Sequence, residues 1–239
     1  GFDLEDESPF FLPQASCEVK AGKAHRIFAS WSGSVREPSF TELNYESPGT
    51  LGNSGLRWQE AKTSEVGWRW LGRGAGDCRV AMFHTRTTHS VDWVKTLPDD
   101  PRWVATDLGT LDTWGAEGRG RYRFGTALSL DVSYTWLRRD DVDGIYAGRY
   151  VLDYPEQVAR IGWDWQVTRS VNIRGSQAWR QQDTSPLRRG GQGLPASISV
   201  RYRPAFLKDL SVILGCDNAW DDDFEELAEA FQRERMRLE

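Results

Sequence analysis

From Gly125 to Trp136 the chain reads GTALSLDVSYTW, in which Leu128, Leu130, Val132, Tyr134 and Trp136 alternate with Ser129, Asp131, Ser133 and Thr135. A period of two gives a β-strand one apolar face and one wet face. The pattern returns after Pro155, where Ala159, Ile161, Trp163, Trp165 and Val167 alternate with Arg160, Gly162, Asp164 and Gln166. It returns again over Ile198 to Arg203 and over Leu210 to Asp217. Along the whole chain about eleven strands are predicted, over Ala15–Lys20, His25–Val35, Gln59–Trp70, Asp77–Trp93, Thr110–Phe124, Thr126–Leu137, Glu156–Val167, Ser170–Arg180, Ala196–Arg203, Asp209–Asn218 and Arg235–Glu239. Helical spacing is clear only over Phe224–Arg235, with Phe224, Leu227, Ala228 and Phe231 on one side.

The connections carry further information. Tight turns at Ala21–Ala24, Leu71–Gly76, Gly125, Thr168–Arg169 and Pro204–Lys208 alternate with long polar stretches at Pro38–Arg57, Val94–Gly109, Arg138–Pro155, Gln181–Pro195 and Trp220–Glu234. In an up-and-down antiparallel sheet this alternation puts every short turn at one end and every long loop at the other. The predicted fold class is all-β, an antiparallel up-and-down transmembrane β-barrel.

Composition sharpens that choice. Twelve Trp, 7 Tyr and 10 Phe occur among 239 residues. Trp68, Trp70, Tyr122, Phe124, Trp163, Trp165 and Tyr202 fall near short turns, whereas Trp58, Trp93, Trp114, Trp136 and Trp179 fall beside long loops. Two belts of rings are what the two interfaces of a bilayer select. A soluble sandwich or lipocalin-like barrel with a Trp-rich core would show the same alternation. No apolar run approaches the roughly 20 residues of a membrane helix. The net charge of −5, with signs interspersed, offers no basic stripe for nucleic acid. Cys17, Cys78 and Cys216 are too few and too scattered for a disulfide framework or metal site and read as small apolar residues.

Specific segments carry a resemblance. ASWSGSVREPSFTEL is followed by a loop with SPGTLGNSGL and by WQEAKTSEVGWRW; TWGAEGRGRYRF and GCDNAWDDDFEE follow later in the same order. Together they resemble the barrel of TonB-dependent outer-membrane receptors, over essentially the whole chain. The resemblance implies that residues 1–239 form the C-terminal part of an outer-membrane β-barrel domain, half of a barrel of about 22 strands. On that reading the plug domain and first barrel half are expected to lie outside these residues. The chain opens at Gly1 without Met and stops at Arg237, Leu238, Glu239 rather than on the family's terminal aromatic, so it is expected to be a fragment. An odd strand count leaves two open edges, which lipid penalises, so these strands are expected to close on others.

Other motifs have plain readings. LGRGAGD, with Gly72, Gly74 and Gly76, lacks the following helix of a phosphate cradle and reads as a turn. His84 and His89 lie an odd five residues apart on one predicted strand and so face opposite ways, which argues against a metal site. Asp140, Asp141, Asp143 and Gly144 start like a calcium loop but lack its closing Glu. Asp221 to Glu226 has no apolar setting to raise a catalytic pKa, and no nucleophile motif occurs. No enzyme activity and no cofactor is expected.

Arg160, Asp164, Arg174, Arg180, Arg201 and Arg203, with Glu65, Arg69, Glu117, Arg119 and Arg121, are predicted to face the lumen and to contact a plug. Arg36, Tyr45, Trp103, Tyr146, Arg149 and Tyr150, on or beside long loops, are the candidate ligand contacts. The resemblance implies active uptake of a scarce large nutrient, such as a ferric siderophore or cobalamin, across the bacterial outer membrane. The partners it implies are lipid, the rest of the barrel and its plug, and a TonB-type energy-coupling complex acting through the plug. The alternative is a non-transporting barrel module assembled with partner chains, and a soluble sugar-binding sandwich ranks third.

Overall fold

The computed structural model describes residues 11–72, 74–182, 185–188, 190–207, 209–223 and 237–238. Its elements in chain order are β1 (Gln14–Lys20), β2 (His25–Arg36), α1 (Phe40–Asn44), β3 (Glu46–Ser47), β4 (Thr50–Leu51), β5 (Gln59–Leu71), β6 (Gly76–Thr88), β7 (Val91–Lys95), β8 (Trp103–Asp107), β9 (Leu111–Phe124), β10 (Leu128–Arg139), β11 (Ala147–Gly148), β12 (Gln157–Gln166), β13 (Val171–Gln181), β14 (Gln192–Gly193), β15 (Ala196–Tyr202), β16 (Val212–Asp217) and β17 (Arg237–Leu238).

The main sheet runs β1-β2-β5-β6-β9-β10-β12-β13-β15-β16-β17, with every neighbour antiparallel. These eleven strands match the predicted ones, and β14 only extends the end of β13. Among the described residues β1 and β17 do not pair, so the sheet is an open part of a barrel. The predicted helix over Phe224–Arg235 lies outside the described residues.

Register divides the residues into two faces, because directly opposed residues in an antiparallel ladder point the same way. Val132 pairs with Gly120 and Ile161, while Leu130 pairs with Tyr122 and Trp163. One residue away, Asp131 pairs with Arg121 and Gly162. The apolar face thus carries Ile27, Val66, Val80, Met82, Val132, Ile161, Ile198 and Leu214, all exposed. So broad a contiguous apolar surface requires an apolar solvent. The three cysteines share this face, opposite Ala29, Trp70 and Ile198.

Turn chemistry sets the short end. Gly125 joins β9 to β10 with φ 63, and Gly74 joins β5 to β6 with φ 80, backbone that a Cβ disfavours. A Cβ on Gly76 would sit 2.3 Å from the Arg121 carbonyl oxygen, so the start of β6 runs too close to β9 for a side chain there.

The aromatic belts keep most of their predicted members. Trp68, Trp70, Trp163, Trp165, Tyr122, Phe124 and Tyr202 lie on the apolar face toward the short turns, and Trp114, Trp136 and Trp179 lie on it toward the loops. Trp31, opposite Ser64, joins the second belt. Trp93 does not belong. The predicted strand Asp77–Trp93 ends at Thr88, where His89 turns the chain with φ 53 and Val91–Lys95 enters another sheet. His84 and His89 therefore do not share a strand.

That second sheet, ordered β11-β7-β8-β4-β3, is built from three of the stretches predicted as long polar loops together with residues 91–93 from the end of a predicted strand. Its strands are antiparallel except β4 and β8, which run parallel. Leu56, Val91, Trp93, Trp103, Ala105 and Ala147 form its buried core, with Leu43, Tyr146 and Leu187 packed against them. Leu187 brings in a fourth loop. The loops thus fold into a cap with a conventional water-excluding interior, set on a wall whose apolar side faces outward.

Candidate functional site

Buried carboxylates hold the cap together. Asp92, 1% exposed, accepts hydrogen bonds from the backbone N–H groups of Trp93 (2.7 Å), Tyr150 (3.0 Å), Val151 (2.9 Å) and Leu152 (3.1 Å). Burial pushes its pKa up, against the pull of those amides. Arg188 Nη2 donates to Asp153 Oδ2 at 2.6 Å, with both side chains at most 2% exposed. This pair fastens the loop after β13 to the loop after β10. Gln182 Nε2 adds a hydrogen bond to Asp153 Oδ1 at 3.0 Å.

The cap meets the strands through Asp107, which accepts from His89 Nδ1 (2.9 Å), Arg57 Nη2 (3.3 Å) and the Gly109 amide (2.8 Å). Burial works upward on its pKa, but the bonds from Gly109 and His89 outweigh it and hold Asp107 below the usual carboxylate range. On α1, Ser39 and Glu42 form a reciprocal capping box. Burial works upward on Glu42 too, yet its bonds to Arg36 and Ser39 bring it below its ordinary value.

The six candidate ligand contacts separate into two groups. Trp103, Arg149 and Tyr150 come together: the Arg149 guanidinium lies 5.8 Å from the Trp103 ring and 5.6 Å from the Tyr150 ring. Lys95 Nζ lies 5.1 Å from the Trp103 ring, an arrangement sequence reading did not find. Trp103 itself is only 7% exposed, so its ring belongs to the cap core and forms the floor beneath the cations rather than an open surface. Tyr146 packs against the same core, whereas Tyr150 is 50% exposed. Arg36 and Tyr45 lie elsewhere. Arg36 makes two 3.0 Å bonds to Glu42 and a further one to Gln59 Oε1, and Tyr45 immediately precedes β3, separated from β8 by β4.

The predicted lumen residues on the strands share the polar face. Several of them form cross-strand ion pairs, two of these with residues outside the predicted set: Glu65 and Glu117 flank Arg79, Arg121 pairs with Asp131 at 2.6 Å, and Arg174 pairs with Asp164 at 2.6 Å. Arg119, Arg160 and Arg201 add charge on this face. It is cation-rich in a chain whose net charge is −5.

The family model for TonB dependent receptor-like β-barrels matches residues 3–219. No curated protein sequence matches the chain. Among solved structures, a mutant of the ferric enterobactin receptor PfeA from Pseudomonas aeruginosa in complex with enterobactin is 16% identical, with a TM-score of 0.68 over 95% of this chain and 39% of that one. The ferric-catecholate import receptor Fiu from E. coli K12 is 17% identical, with a TM-score of 0.64 over 95% and 33%. The siderophore receptor PirA from Pseudomonas aeruginosa is 16% identical, with a TM-score of 0.64 over 88% and 36%. The chain thus spans between a third and two fifths of the length of these structures, and the likeness is one of fold.

Proposed function

Because the chain belongs to the TonB-dependent receptor family, as part of its β-barrel, we propose that it forms the C-terminal wall and loop cap of an outer-membrane receptor that actively imports a scarce, large nutrient. A ferric siderophore is the favoured cargo. The family consists of transport receptors rather than enzymes, and the role proposed for this part is binding and passage, without covalent chemistry. The observation that carries the reading is the cap: loops folded around their own core, with Lys95 and Arg149 over the Trp103 ring and Tyr150 beside Arg149. A cation flanked by rings suits an anionic, ring-bearing iron complex. Arg36, Tyr45 and Tyr146 are proposed as outlying contacts.

On the inner side the cation-rich polar face is proposed to receive a plug domain, through which an energy-coupling complex would act. The neighbouring structures with siderophore ligands or siderophore names support the cargo class. The test is uptake of radio-iron siderophores by the complete receptor in a Gram-negative strain stripped of its own receptors. We expect energy-dependent uptake that drops about tenfold in Arg149→Ala/Tyr150→Ala, the size of losing one strong charged contact. Absence of uptake across catecholate, hydroxamate and mixed ferric siderophores would overturn the cargo assignment.

A further inference from the structure

We infer that the inner wall carries a second anion site, formed by Arg119 and Arg160 on either side of Ser133. It belongs to a row of arginines that climbs from the short turns toward the loops, and it takes anionic oxygens of the iron complex after the complex leaves the cap. The inference rests on the uptake reading above and adds to it the charge of the cargo and a route along the wall.

Register builds the row. On the polar face Arg26 lies directly opposite Arg69, Arg69 opposite Arg79, and Arg79 opposite Arg119. Ser133 follows, with Arg119 opposite it on one side and Arg160 on the other. The row is not level. Arg26 adjoins His25 at the short-turn end of β2, Arg69 stands two residues from that end of β5, and Arg79 three from that of β6. Arg119 stands five from that of β9 and Arg160 six from that of β12. At about 3.3 Å per residue the row rises by about 17 Å across the sheet.

Directly opposed like charges destabilise a ladder, and only part of this charge is answered within the chain. Glu65 and Glu117 hold Arg79, and Glu18 lies 3.7 Å from Arg26. Among the described residues Arg69, Arg119 and Arg160 have no ion pair. Arg119 and Arg160 are exposed, and a hollow of about 390 Å³ opens between them and Ser133. Asp77 and Asp131 border it on the short-turn side, but both stand opposite Arg121, which bonds Asp131 at 2.6 Å.

Two guanidiniums on strands about 10 Å apart, with a hydroxyl between them, can close on one carboxylate or catecholate. Arg79, already neutralised, separates this site from Arg69. An anion moving along the row therefore meets stations of unequal strength rather than one deep trap, which is the condition for passage. An acidic plug segment is the competing occupant. Docking it needs charge at one height, whereas this row climbs the wall.

The experiment uses the complete receptor in a Gram-negative strain lacking its own receptors, supplied with radio-iron as an anionic ferric tris-catecholate or an uncharged ferric trihydroxamate. Binding to de-energised cells is measured beside uptake by energised ones. Arg119→Gln/Arg160→Gln is expected to bind the tris-catecholate as wild type does and to import it about tenfold more slowly. Arg119→Lys/Arg160→Lys restores most of the rate. Wild-type uptake by the Gln variant overturns the site, and equal slowing by Gln and Lys overturns its charge role. Slower uptake by the Gln variant accompanied by new entry of a large glycopeptide antibiotic gives the row to the plug and overturns the inference. Wild-type receptor that imports only the trihydroxamate overturns this inference and leaves the uptake reading standing, whereas import of neither complex overturns both.

Discussion

Arg188 and Asp153 are thirty-five residues apart, yet their 2.6 Å ion pair is sealed from solvent on both sides. Two loops that share no strand are thereby fixed to each other. Removing one member of a buried pair strands the other, at a cost of about 3–5 kcal/mol. Arg188→Ala is therefore expected to open residues 182–195 to limited proteolysis while the strands stay protected.

The two classes of cap carboxylate respond to pH in opposite directions. Asp92, raised by burial, holds its proton more tightly in the folded cap than in an unfolded chain. Its stabilising contribution is full in acid and is lost as pH rises from the ordinary value of 3.8 through the raised one. Asp107 is lowered, so its contribution is present above 3.8 and lost as pH falls through its folded value. Hydrogen exchange of the cap amides, corrected for intrinsic rates, should show Asp92→Asn and Asp107→Asn removing pH slopes of opposite sign. Slopes of the same sign would contradict these assignments.

Aromatic side chains cover cross-strand glycines, which makes two superficially similar substitutions unequal. A Cβ at Gly175 would lie 2.2 Å from Trp163, whereas none of the surroundings of Gly118 comes within 4 Å. Gly175→Ala should lower barrel stability by about 1–3 kcal/mol through a displaced ring, and Gly118→Ala should leave it nearly unchanged. Thermal unfolding followed by heat-modified gel mobility distinguishes the two.

The tryptophans should divide by solvent. Trp165 is 46% exposed on the apolar face, while Trp93 is 8% exposed inside the cap. In vesicles containing brominated lipid, a receptor retaining only Trp165 should be quenched and one retaining only Trp93 should not. Quenching of Trp93 would remove the cap from the aqueous side.

The wall was legible because period-two alternation is strong wherever one face meets an apolar medium, as over Leu128 to Trp136. The cap was not. Its strands are two to five residues long, too short for periodicity, and its core draws Leu56, Trp93, Trp103 and Ala147 from three separate stretches. Alternation continued through Val91 and Trp93, which concealed the change of sheet at His89. Ser39 and Glu42 had the spacing of a capping box, a local sign of α1 that was overlooked. Trp103, Arg149 and Tyr150 were each selected singly, but Asp92, which brings residues 150–152 against β7, carries no sequence signature.

Direction along the ladder has a consequence for assembly. β1 and β17 are the first and eleventh strands of an alternating series, so they run the same way. Joined edge to edge, in one chain or between two copies related by an axis along the barrel, they would make a parallel seam in an otherwise antiparallel wall. Any closure that keeps the alternation must therefore interpose an odd number of strands, and a tube made from repeats of this segment alone would be mispaired at every joint.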